Sequence, residues 1–115
     1  MCETVSFDLA KKLKEKGFNH KTRCGFLPPI KFVHEAFTDT DWCAKNGYPA
    51  PTISQVLKWL REEKRIHIQM CVVLREYYFQ VIDINRNAVV CISNGYSSYE
   101  IAALAGISWA LDNLI

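Results

Sequence analysis

Two histidines and two cysteines lie in the first half of the chain and could bind a metal ion: His20, Cys24, His34 and Cys43. The spacing His20-x3-Cys24 is short enough to begin a structural zinc site. His34 and Cys43 are nine positions apart, whereas such a site normally supplies its second pair of ligands at short spacing too. We therefore favour surface histidines and partly buried thiols over zinc, and expect no metal and no other cofactor. Whether the four side chains converge depends on the path of residues 18–51.

Covalent catalysis by a cysteine would require a histidine within hydrogen-bond reach and a third group to orient it. Each pairing among the five cysteines and three histidines depends on an unknown loop path. His67 lies at an alternating strand position, where a partly exposed sheet residue is the simpler interpretation. The sequence contains no GxSxG, GxGxxG, HExxH or Walker-type glycine loop. We therefore predict that the protein is not an enzyme.

A basic stripe on a predicted helix could contact phosphates. Residues 52–65 carry four basic and two acidic side chains, a local excess of +2. At 100° per residue, four side chains share one outward side of this helix: Ser54, Lys58, Arg61 and Arg65. Residues 52–114 also follow the element order of a double-stranded RNA-binding domain. Such domains place lysines at the start of the last helix, where this chain has residues 97–100, Ser-Ser-Tyr-Glu. Nucleic-acid binding is therefore our second hypothesis.

The last predicted helix is apolar nearly all round, which is typical of a helix that is buried on all sides or forms an interface. Its first apolar face at helical spacing comprises Tyr99, Ala102, Ala103, Gly106, Ile107, Ala110 and Leu114. Its second face comprises Ile101, Leu104 and Ala105. Either residues 18–51 cover this second face, or it binds a protein partner or a second copy of the chain as a two-fold dimer.

The elements that position these residues predict an α+β fold. Their order is helix, irregular cover, helix, three-stranded antiparallel meander and C-terminal helix. Residues 18–51 contain four prolines and two glycines, so we predict them to be mostly irregular, with a short strand or turn near residues 31–37. Their aromatic and aliphatic side chains predict an ordered cover packed over the core. Gly17 is expected to end the first helix.

Length and composition favour one domain spanning residues 1–115. The chain has 115 residues, 50% hydrophobic and 23% charged, and a net charge of +2, which is ordinary for a globular domain. No apolar run reaches the ~18 residues of a membrane helix. Met1-Cys2-Glu3 does not resemble a signal peptide, and an odd number of cysteines without CxxC favours reduced thiols. We therefore expect a cytoplasmic protein with no membrane partner.

Three stretches carry a resemblance to a known group: residues 12–18, residues 50–64 with 66–68, and residues 98–100 with 111–115. They resemble small uncharacterised proteins of gut bacteria and their phages. The chain departs from that group at Ile101 and Leu104, where similar proteins tend to have charged residues. The resemblance implies a bacterial or phage-associated accessory protein and no catalytic residue. Our first hypothesis is therefore a small non-enzymatic protein-protein interaction module, which binds a protein partner or a second copy of itself as a homodimer.

Overall fold

The computed structural model describes residues 4–115, so the prediction based on Met1-Cys2-Glu3 lies outside the described residues. The chain divides into two compact units, Met1–Thr52 and Ile53–Ile115. The described residues form three α-helices and two three-stranded antiparallel sheets, which confirms the α+β class. The single domain over residues 1–115 stays a prediction. Within residues 4–115, no helix has both the length and the apolar character needed to cross a membrane.

The first unit begins with helix α1, Phe7–Glu15, whose N-terminus is capped by Ser6. Gly17 follows the helix with a φ of 101°, a left-handed conformation that glycine adopts without steric cost. The backbone N–H of Phe18 donates to the carbonyl oxygen of Leu13 at 2.9 Å, and both side chains are buried. This is the hydrogen bond and apolar pairing of a Schellman C-cap. The predicted helix stop at Gly17 is confirmed.

The prediction that residues 18–51 are mostly irregular is wrong. They form an antiparallel sheet of strands β1 (Thr22–Phe26), β2 (His34–Thr40) and β3 (Tyr48–Pro49), in the order β2-β1-β3. A single 3-10 turn, Cys43–Lys45, connects β2 to β3. Only the predicted short strand or turn near residues 31–37 overlaps an observed strand, β2. The stretch is therefore part of the folded core of the first unit rather than a cover.

Trp42 packs directly against the backbone of β1 at Gly25. Its indole is buried, and its Nε1 donates a hydrogen bond to the carbonyl oxygen of Thr22 at 2.9 Å. A Cβ atom added to Gly25 would overlap the indole ring. Glycine in a strand commonly marks such a close approach. Glycine in this stretch was expected to indicate a loop. Gly25 instead lies inside a strand, where the close approach of Trp42 leaves no room for a side chain.

We predict that Gly25→Ala destabilises the first unit by about 3 kcal/mol, because overpacking a core usually costs about 1 to 3 kcal/mol and here the obstacle is a rigid ring. Gly95→Ala is the matched control. A Cβ there would meet the carboxylate of Glu76, the end of an exposed and flexible side chain. That carboxylate can rotate away at the cost of its exposed hydrogen bond from Tyr78, so we expect a smaller loss of about 1 kcal/mol. Urea unfolding followed by tryptophan fluorescence measures both. Equal losses would contradict the position of Trp42.

The second unit contains the predicted meander between two helices. Its strands β4, β5 and β6 pair in that order, and both helices pack on this sheet. The bounds are Ile53–Glu63 for α2, Ile66–Val73 for β4, Glu76–Asp83 for β5, Ala88–Ile92 for β6 and Tyr99–Asn113 for α3. The predicted order of helix, three antiparallel strands and helix is therefore confirmed in this unit.

The core of the second unit forms where α3 crosses the sheet at Gly106, the only glycine of this helix. A Cβ on Gly106 would lie 3.0 Å from Cγ2 of Ile68 and 3.1 Å from Cγ of Phe79. The absence of a side chain thus lets the helix approach β4 and β5 closely. Helix α2 contributes the buried side chains of Val56, Trp59 and Leu60. The apolar residues that repeat at helical spacing on α2 and α3 therefore pack within this unit.

Candidate protein-interaction site

Four large apolar side chains are exposed within eight consecutive positions of the first unit. They are Ile30, Phe32, Val33 and Phe37. Phe32 is 81% exposed and Phe37 is fully exposed. We name residues 30–37 the apolar segment. Eight residues span at most about 28 Å even when fully extended, so a single partner surface can cover the whole segment.

The β1–β2 connection and a β-bulge position the apolar segment. The connection starts with a turn in which the N–H of Ile30 donates to the carbonyl oxygen of Leu27 at 3.1 Å. It ends where His34 pairs with Gly25. From Cys24 to Thr22 is two residues along β1, whereas the paired residues Glu35 and Thr40 are five residues apart along β2. Phe37 lies in these extra residues of β2, and bulges of this kind redirect side chains and interrupt strand pairing.

The exposed side chains leave apolar surface in water, so covering them with a partner is energetically favourable. Single exposed leucines or valines are normal on a protein surface, but grouped large apolar side chains usually mark interaction sites. Burying one phenylalanine or isoleucine side chain is worth about 1.5 to 3 kcal/mol. Phe32 and Phe37 together therefore offer a partner enough free energy to act as anchors of an interface.

Carboxylates surround the apolar segment. Glu35, Asp39 and Asp41 are exposed, and Lys31 is the one basic residue among residues 30–41. With histidine neutral, this stretch has a net charge of −2. The ammonium of Lys31 lies 5.5 Å from the centroid of the Phe7 ring, a cation–π distance. One oxygen of Asp41 accepts a hydrogen bond from the N–H of Ala44 at 3.2 Å. Residues 30–41 are thus apolar and acidic along the sequence, whereas exposed Arg23 lies on the paired strand β1.

His34 is a half-buried member of the apolar segment with one unsatisfied polar atom. Its Nε2 is shielded from solvent and forms no hydrogen bond within the described structure. A shielded polar atom without a partner usually costs about 1 to 3 kcal/mol. The free protein therefore carries a destabilising feature at the start of β2, two residues after Phe32 in the apolar segment.

We predict that His34→Leu raises the free energy of unfolding by about 1 kcal/mol, because it replaces an unsatisfied nitrogen with an apolar group of similar size. His67→Leu serves as the control, since the half-exposed His67 has no such shielded, unpaired nitrogen. Thermal and urea melts of both variants measure the effect. A loss of stability in His34→Leu would mean that its Nε2 has a favourable partner.

The four candidate metal ligands do not form a metal site. Among residues 4–115, no three His, Cys, Asp or Glu side chains come together in a way that could hold a metal ion. The ring of exposed His20 lies 5.1 Å from that of Phe18. Cys24 is disulfide-bonded, so the expectation of reduced thiols throughout is wrong at that position. Cys43, like Cys71 and Cys91, is free.

The basic stripe is exposed but shorter than predicted. Ser54, Lys58 and Arg61 lie on α2 and are exposed. Arg65 is also exposed, but it lies beyond the end of α2 with a φ of 58°, so it does not continue the helical side. Its Nε donates to Oδ1 of Asn85 at 3.4 Å. The first turn of α3 contains an acidic residue, which opposes phosphate binding at that helix N-terminus.

The predicted second face of α3 is only partly accessible. Ile101 is 51% exposed, whereas Leu104 and Ala105 are half-buried. On the first apolar face, Tyr99 and Leu114 are exposed at the helix ends. Leu111, which the sequence did not assign to this face, is buried. Of the apolar side chains proposed for an interface here, Ile101 alone is exposed. This surface is smaller than the apolar segment, which the sequence patterns did not identify as a site.

A shifted pKa occurs at Tyr78, outside these surfaces. The Tyr78 hydroxyl donates to Oε2 of Glu76 at 2.9 Å, and this hydrogen bond, more than burial or charge repulsion, raises the pKa of Tyr78. A raised pKa keeps the phenol protonated near neutral pH, the opposite of what activates a nucleophile. This pair therefore gives no support to covalent chemistry at Tyr78.

No protein-family model, curated protein or solved structure matches this chain. The resemblance to small proteins of gut bacteria and their phages therefore stays a prediction. Function has to be inferred from the surfaces of the two units: the apolar segment in the first, and in the second a basic stripe together with exposed apolar side chains on β4, β6 and the turn after β4.

Proposed function

We propose that this protein is a small non-enzymatic accessory protein, bacterial or phage-associated, that acts as a protein-protein interaction module. The apolar segment is its docking site. The single observation that carries this proposal is the exposure of Phe32 and Phe37 on one short stretch of the first unit. Aromatic side chains are enriched among the residues that dominate binding energy at protein interfaces.

The bulge in β2 supports a role in binding rather than in folding. A fully exposed phenylalanine contributes no burial to the free energy of unfolding of this chain. Substituting Phe37 should therefore leave the fold intact and affect only what the protein binds. The α3 surface around Ile101 is a competing docking site, and a test of the proposal has to separate the two.

We predict that Phe32→Ser/Phe37→Ser abolishes capture of a protein partner from a bacterial host lysate by the immobilised full chain. Each lost anchor is worth about 1.5 to 3 kcal/mol, so affinity should fall by at least tenfold. Ile101→Ser is the matched control on α3 and should bind normally. Far-UV circular dichroism and melting temperature verify that both variants remain folded.

Capture should also survive nuclease treatment of the lysate, since nucleic acid is not the partner in this proposal. If Ile101→Ser loses the partner and the double phenylalanine variant keeps it, the docking site is on α3 instead. If both variants behave as the unmodified chain does, neither of these two surfaces is the docking site, and the proposal that the apolar segment binds the partner is wrong.

Nucleic-acid binding is the second candidate function, favoured by the exposure of Lys58 and Arg61 on one side of α2. Each phosphate contact releases counterions, so such binding falls steeply as salt rises. Under this alternative, the chain would bind duplex RNA or DNA at about 50 mM salt, where non-specific binders already associate. Lys58→Ala/Arg61→Ala would weaken binding and reduce its salt dependence. No gel shift at micromolar protein would eliminate this candidate.

A further inference from the structure

We infer that the free edge of β4 binds β4 of a second copy of the chain, so that the sheets of two second units join across a two-fold axis. This inference goes beyond the proposed function, because it concerns the other unit and a different partner. Its basis is an unpaired strand edge that carries no charge and ends in an exposed apolar side chain.

β4 is an edge strand, because β5 pairs with one side of it and no other described strand pairs with the second side. In an antiparallel pair, directly opposed residues alternate between those that exchange hydrogen bonds and those that do not. On β5, Tyr77 exchanges backbone hydrogen bonds with Tyr96. The carbonyl oxygen of Phe79 accepts from the N–H of Ser93 at 2.9 Å. The backbone groups of Tyr77 and Phe79 therefore point away from β4.

The residues of β4 that lie opposite these two are Val72 and Met70, so their backbone groups point toward the free edge. By the same alternation, so do those of Ile68 and Ile66. Within residues 4–115, the N–H and carbonyl groups at these alternate positions form no hydrogen bond. The edge thus offers a row of donors and acceptors that matches another extended strand.

β4 has none of the features by which edge strands usually avoid pairing. Its eight residues, Ile66–Val73, include no Lys, Arg, Asp, Glu or Pro, and its register with β5 is regular throughout. The edge strand β2 of the first unit has acidic residues and a bulge. The other two edges are short, since β6 has five residues and β3 two. Among the described edges, β4 is therefore the one open to strand pairing.

The strand is complementary to a second copy of itself. With a two-fold axis at Gln69, Ile66 lies opposite Val72 of the partner subunit, and Ile68 lies opposite Met70 of the partner subunit. This register pairs every free backbone position of both strands. Because opposed residues in an antiparallel pair share a face of the sheet, apolar side chains meet apolar side chains. No like charges meet, since β4 is uncharged.

The same register covers an apolar side chain that the single chain leaves in water. Ile66 and Ile68 are buried on one face of the sheet. Val72 belongs to that face by the two-residue period of a strand, but it is 61% exposed. Pairing brings it against Ile66 of the partner subunit at both ends of the interface. Burial of Val72 therefore adds a hydrophobic contribution to the backbone hydrogen bonds.

The test places charges on the two-fold axis. Gln69 is exposed, so Gln69→Lys and Gln69→Glu should both remain folded, which circular dichroism verifies. Like charges directly opposite each other destabilise strand pairing, and opposite charges stabilise it. Gln80→Lys is the matched control, because it lies opposite Gln69 on β5 and puts the same charge on the same face, one strand away from the edge.

Light scattering at up to millimolar protein should detect a dimer of the unmodified chain, since a small interface gives weak association. Gln69→Lys alone and Gln69→Glu alone should dimerise at least about tenfold more weakly. An equimolar mixture of the two variants should recover the dimer. Gln80→Lys should dimerise as the unmodified chain does.

A cross-link tests the register independently. Gln69 directs its own backbone groups to β5, so it and its copy form a non-hydrogen-bonded pair with Cα atoms about 4.5 Å apart. A disulfide spans that distance. In a Cys71→Ser background, oxidised Gln69→Cys should run as a covalent dimer on a non-reducing gel, whereas Gln80→Cys should remain a monomer.

A monomeric unmodified chain at millimolar concentration would overturn the inference and leave this edge to a strand of another protein. A dimer that persists in Gln69→Lys, or a mixture that fails to recover it, would also overturn the inference. So would the absence of the cross-link in Gln69→Cys. None of these outcomes decides the proposed function, which depends on lysate capture by the phenylalanine variants.

Discussion

The arrangement of the first unit depends on the packing of the Trp42 indole against the backbone of β1 at Gly25. The ring occupies the space that any other side chain at Gly25 would need, and its Nε1 is held by the carbonyl oxygen of Thr22. The N–H of Trp42 in turn donates to the carbonyl oxygen of Thr40 at 3.1 Å. One residue thereby fixes the end of β2 relative to β1. The pair of His34 with Gly25 fixes the beginning of the same strand.

Between those two fixed points, β2 has more residues than its partner strand can pair, so the excess forms the bulge that contains Phe37. The exposure of this aromatic ring is therefore a consequence of how both ends of the strand are held. A fixed backbone on either side also lowers the conformational entropy that a partner would have to remove on binding. The site combines an accessible apolar anchor with a scaffold that is ordered by residues elsewhere in the unit.

The sequence predicted the second unit far better than the first, for a physical reason. In the second unit, alternating residues such as Ile66 and Ile68 belong to strands joined by short turns, so local patterns suffice. In the first unit, Thr22 pairs with Thr40 across a long connection and an irregular register. Gly25 and the prolines there indicate loops, although Gly25 lies in a strand because of Trp42. Helical periodicity predicted that the basic stripe is exposed. The exposure of Phe37 depends on a bulge, which no periodic pattern in the sequence indicates.

An exposed aromatic on an edge strand is also a hazard, because free strand edges and apolar side chains promote association between copies. Natural sequences counter this with charged residues beside the exposed apolar positions. Glu35 and Asp39 occupy such positions around Phe37, and β2 is the edge of its sheet. Charged side chains beside Phe37 therefore protect the free chain against pairing at the edge of this sheet.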